Sequence, residues 1–79
     1  MEIGGKHYDF VMGSDPQKDG MFLEAQAAGE PDVVADVFYS DVDGSWTFSG
    51  YRPDIPVELV EALIKEARKR LPPEDTGSQ

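Results

Sequence analysis

"DVDGSW", residues 41–46, is the stretch on which the fold turns. Two aspartates bracket a valine and a glycine follows. That pattern serves a calcium loop, a phosphate-handling turn or the bend of a hairpin. A calcium loop of the EF-hand kind wants acids at its first, third and fifth positions, glycine at the sixth and glutamate at the twelfth. With Gly44 sixth, the first position falls on Tyr39 and the twelfth on Gly50, and both fail. The other Asp-Gly pair, Asp19-Gly20, puts Asp15 first but Gln26 twelfth, and fails as well. Nor does a glycine-rich phosphate loop open a helix, because Gly4-Gly5 leads into a strand and Gly50 runs on to Arg52-Pro53. Asp-Gly between two alternating segments is instead a hairpin signal, with both turn residues expected at positive φ.

Working outward from that turn gives a register. With Asp43-Gly44 as a two-residue bend, Val42 faces Ser45, Asp41 faces Trp46, Tyr39 faces Phe48 and Val37 faces Gly50. One face then collects Val33, Ala35, Val37, Tyr39, Trp46 and Phe48, a core. The other carries Val34, Asp36, Phe38, Ser40, Val42, Thr47, Ser49 and Tyr51. A slip of one residue would oppose core to solvent, so the pattern supports the turn. Upstream, "HYDFVM" (7–12) alternates with Tyr8, Phe10 and Met12 on one side and His7, Asp9 and Val11 on the other. "MFLEAQA" (21–27) sets Met21, Leu23, Ala25 and Ala27 against Phe22, Glu24 and Gln26. "GSDPQKDG" (13–20) and "AGEPD" (28–32) are turn-rich connections.

Downstream, "DIPVELVEALIKEARKRL" (54–71) is helical. An acid, a proline and Glu58 mark its start. Val57, Val60, Leu63, Ile64, Ala67 and Leu71 form a stripe at the 3.6-residue period. Glu61 with Lys65, and Glu66 with Arg70, are i,i+4 pairs in the favourable orientation. Pro72-Pro73 ends the helix. The expected fold is α+β: a four-stranded antiparallel meander in chain order with one C-terminal α-helix packed on one face. It forms one domain over residues 1–71, and residues 72–79 are expected to be a mobile polar tail.

Composition bounds the function. The 79 residues hold 16 acids and 7 Lys or Arg, a net charge of −9. Such a balance disfavours nucleic acid, whose binding needs cations to displace phosphate counterions, and disfavours anionic membrane surfaces. Lys65, Arg68, Lys69 and Arg70 crowd the end of the helix, where they offset its macrodipole. There is no cysteine, so disulfides, thiolate metal sites and cysteine nucleophiles are excluded, and a cytoplasmic setting is expected. No apolar run approaches the ~18 residues of a membrane span. "MEIGGKHYDF" lacks the features of a signal peptide.

Candidate chemistry is sparse. His7 is the single histidine, two residues from Asp9 on the outward side of its strand. A general-base role needs a nucleophile such as Ser40 or Ser49 and an orienting group, which spacing does not provide. No cofactor or metal site is expected. The informative feature is the sheet face that a single helix leaves uncovered. Alternation places Val11, Phe22, Val34, Phe38 and Tyr51 there, among Asp9, Glu24 and Asp36. Solvent faces of antiparallel sheets are dominated by polar residues, and aromatic anchors ringed by charge are how partner sites are built. The chain therefore reads as an acidic protein-binding domain, docking those eight residues on a partner with a basic surface. Two alternatives stand beside that reading: a self-associating homodimeric subunit, and a small enzyme or enzyme subunit using His7 and nearby acids. In composition and layout the chain resembles small acidic inhibitors, toxin-immunity proteins and phage anti-defence proteins.

Overall fold

In the computed structural model, Gly4 and Gly5 adopt φ of 58° and 81°. They form the two-residue turn between β1 (Glu2–Ile3) and β2 (Lys6–Asp15), with Ile3 opposite Lys6. This short N-terminal strand raises the expected four strands to five. β3 (Gly20–Ala27), β4 (Val33–Ser40) and β5 (Trp46–Gly50) follow, and the sheet order is β1-β2-β3-β4-β5, antiparallel throughout. Helix α1 (Val57–Arg70) packs over β3 and β4. The architecture is α+β, a meander with one C-terminal helix. The structure describes residues 1–71, and the expected polar tail at 72–79 lies outside them.

The core lies between α1 and one sheet face. Tyr8, Leu23, Ala25, Ala27 and Val37 point into it from the strands, and Leu59, Leu63, Ala67 and Leu71 from the helix. Leu23, Leu59 and Leu63 are wholly buried. Each contributes about 1.5–3 kcal/mol of apolar burial. Pro56 is the residue before the helix, and no side chain caps α1. The cations at the other end divide their work. Glu66 lies 4.0 Å from Lys69 and 3.9 Å from Arg70, while Arg68 rests over the Trp46 ring at 5.1 Å. The Glu61–Lys65 pair does not close to ion-pair distance among the described residues.

Two local departures from simple alternation decide what faces where. The β4–β5 connection is a four-residue loop, because Ser40 pairs with Ser45 and Tyr39 stands opposite Trp46. Only Gly44 takes positive φ in this loop. Asp43 escapes the left-handed region, which costs a residue with a Cβ about 1–2 kcal/mol. The Asp43 carboxylate instead accepts the Ser45 N–H at 3.0 Å, and the Ser40 hydroxyl accepts the Val42 N–H at 3.1 Å. Tyr39 and Trp46 gain a ring pair at 4.8 Å. The register differs from expectation by two residues, an even shift, so each side chain of β5 keeps its face.

The second departure is a bulge. Ala25 pairs with Ala35 and Gln26 with Val33, so Val34 has no partner on β3. An extra residue turns the strand locally. Val34 and Ala35 both enter the core, at 1% and 0% exposure, and Val33 turns outward. The expectation that Val34 belongs to the exposed face is corrected here. Strict alternation carries it outward, but the bulge buries a branched apolar side chain that would otherwise face water.

Candidate functional site

On the sheet face opposite α1 the registers draw straight rows across the strands. Val11, Glu24, Asp36 and Ser49 lie in one row, and Gly13, Phe22, Phe38 and Thr47 in the next. Of the residues expected to dock a partner, Asp9, Val11, Phe22, Glu24, Asp36, Phe38 and Tyr51 share this face. Val34 alone is withdrawn from it.

The two phenylalanines do not stand upright. An added Cβ on Gly13 would run into the Phe22 ring, and one on Gly20 into the Phe38 ring. Each aromatic therefore lies over a glycine of the preceding strand, which leaves it half-buried and supplies contacts the glycine cannot make. The Lys18 ammonium lies 5.3 Å from the centre of the Phe38 ring, a cation held on the ring face. Val11 and Tyr51 remain open, at 44% and 57% exposure.

Glu24 and Asp36 are direct cross-strand neighbours, like charges in the arrangement that destabilises a sheet. Burial, and then the Asp36 charge, raise the Glu24 carboxyl above its ordinary value. Asp36 has a partner, since the Tyr51 hydroxyl donates to it at 2.7 Å. That bond raises the Tyr51 phenol, because losing its proton would set a second negative charge beside the carboxylate. Asp32, Val33 and Arg52 join Glu24, Asp36 and Tyr51 around an open hollow of about 450 Å³. The guanidinium of Arg52 is spoken for by Glu30 at 2.7 Å, and Lys6 reaches the other Glu30 oxygen at 3.1 Å. Those donors lower the Glu30 carboxyl and tie the β3–β4 connection to both ends of the sheet. Asp32, Val33 and Arg52 escaped sequence reading. The bulge that turns Val33 outward has no signature in "PDVVAD", where two adjacent valines fit either face equally.

The hollow presents carboxylates and a phenol with no free cation of its own. Chemically it accepts hydrogen bonds from an ammonium or guanidinium group, with the Tyr51 ring as an additional face. His7 stands apart, its Nε2 3.0 Å from the Asp9 carboxylate and both side chains exposed. Ser40 is engaged in the β4–β5 loop, and Ser49 lies on β5, three strands from His7 in the sheet order. The structure thus does not bring His7 together with the serines considered for it. Among the described residues no cluster of three or more metal-ligating side chains forms, and no helix is long and apolar enough to cross a membrane. No protein-family model, curated protein or solved structure matches this chain.

Proposed function

We propose that the chain is a protein-binding domain whose exposed sheet face docks a basic partner, in the manner of an inhibitor, immunity protein or adaptor. The observation that carries this reading is the Glu24–Asp36 pair at the centre of the face. A folded sheet has no structural use for two like charges directly opposed, and a partner's Lys or Arg side chain relieves them. Val11, Phe22, Phe38 and Tyr51 supply apolar area around that point, and Asp9 and Asp32 extend the negative field that steers association. The mechanism is occlusion by docking, with no chemical step.

Capture from the source organism's lysate tests it, at low and high salt. A stoichiometric basic protein, retained at low salt and lost at high salt, is the expected result. Asp36→Lys slows association and flattens its salt dependence, and Phe38→Asp abolishes capture while circular dichroism shows the monomer still folded. An association rate for Asp36→Lys that matches the parent at every salt concentration removes the steering role. Undiminished capture by Phe38→Asp removes the face.

A further inference from the structure

Ser40 N–H donates to the Ser45 carbonyl and Tyr51 N–H to the Val34 carbonyl, both at 2.9 Å. These two bonds set the phase of β5. Backbone direction alternates along a strand, so Ser45, Thr47, Ser49 and Tyr51 turn their polar groups toward β4. Trp46, Phe48 and Gly50 turn theirs the other way. β5 ends the strand order, and no described segment pairs with that outer side.

An unpaired edge is a template for another strand, and sheets blunt their edges with charge, proline or a bulge. β5 has none of these. Gly44–Tyr51 carries no charged residue, in a chain whose residues are 29% charged. By contrast, the opposite edge is covered at one end by β1 and carries Asp9 and Asp15 along the rest of β2. On the helix side of β5, the Phe48 side chain is 44% exposed and Ile64 of α1 beside it 38%.

We propose that β5 is a homodimerisation edge, pairing antiparallel with β5 of a second copy about a two-fold axis at Phe48. That register uses every outward-turned group. Phe48 meets Phe48 of the second copy, and Trp46 meets Gly50 in both directions, each pair exchanging two N–H···O bonds. The two Phe48 rings fall on the same side of the joined sheet and cover each other. Thr47 faces Ser49 on the other side, a pairing of hydroxyls. Charge selects both occupant and direction. Two chains of net −9 repel over most of their surfaces, and this neutral strip lets them approach without opposing like charges. The first charges flanking β5 are Asp43 before it and the Glu30-paired Arg52 after it, so antiparallel pairing keeps Asp43 away from Asp43 of the second copy, which a parallel pairing would set side by side.

Light scattering on the full chain, taken up to ~1 mM so that weak association is visible, gives a concentration-dependent dimer. Phe48→Lys is monomeric with an unchanged circular dichroism spectrum, and Asp36→Lys dimerises as the parent does. That second variant separates this edge from the docking face. The register has its own test, since the chain holds no cysteine. Phe48→Cys lies opposite itself at about 5.5 Å between Cα atoms, and crosslinks on mild oxidation. Thr47→Cys is staggered from its own copy by two positions and crosslinks far more slowly. A parent chain that stays monomeric throughout overturns the proposal, including the case in which a strand from another protein fills the edge. So does a Phe48→Lys variant that still dimerises, or equal crosslinking at 47 and 48.

Discussion

Glu24 shows how a single ionisation weighs on the fold. Its carboxyl is raised in the folded state, so the folded chain holds that proton more tightly than the unfolded one. Stability from this group is therefore full at low pH and is lost as pH rises through the folded value, which lies above the group's ordinary one. Glu24→Gln removes the like-charge opposition, and is expected to stabilise the chain by about 0.2–1 kcal/mol at neutral pH. Urea melts at neutral pH and near pH 4 check this, since the difference should shrink at the lower pH. Glu30 runs the opposite way: its lowered carboxyl contributes stability above the ordinary value that is lost as pH falls. The glycines beneath the aromatic rings give a graded test. A Cβ at Gly20 meets the Tyr39 carbonyl as well as the Phe38 ring, whereas at Gly13 it meets only the movable Phe22 ring. Gly20→Ala should cost about 1–3 kcal/mol and Gly13→Ala distinctly less, by the same melts. Neither close approach was legible in the sequence, where Gly13 and Gly20 read as turn residues. The rings reach them from neighbouring strands that only pairing brings alongside.

Among the elements, α1 depends on packing more than on its ends. Leu59 and Leu63 are wholly buried beneath it, and its N-terminus lacks a side-chain cap. Leu63→Ala should cost about 2–5 kcal/mol, read as a shift of the urea midpoint at constant slope. The turn chemistry was legible in kind and displaced in detail. A two-residue bend with both φ positive exists, but at Gly4-Gly5, where neither residue bears a Cβ. At Asp43-Gly44 only the glycine adopts it. Gly44→Ala should therefore cost about 1 kcal/mol, and the Ser45 N–H bond to Asp43 keeps the loop in place. Strand faces were read correctly wherever alternation is unbroken, which covers Asp9, Val11, Phe22, Glu24, Asp36, Phe38 and Tyr51. Val33 and Val34 are the exceptions, exchanging faces at the bulge, where the extra residue breaks the alternation.

Over the whole molecule, charge is segregated. The acids of the sheet face and the cations of the last helical turn belong to opposite layers; α1 offsets its cations with Glu66, whereas Glu24 and Asp36 stand directly opposed on the sheet. Raising salt from a few millimolar to physiological strength should lift the melting temperature by several degrees. For a domain of this size about 1 kcal/mol corresponds to about 4–8 °C. Glu24→Gln should show a smaller rise. The order of the main strands, the place of the helix, the net negative charge and the shared face of the seven residues proposed to dock follow from the chain alone. Each is set by local periodicity or by composition, and neither needs a distant contact. Tertiary structure alone decided the burial of Val34, the flattening of Phe22 and Phe38 over glycines, and the Glu24–Asp36–Tyr51 hollow. These depend on which residue of one strand stands beside which residue of another. Cross-strand register answers to the whole core at once, and a two-residue shift or a single bulge leaves the alternation of the sequence almost unchanged.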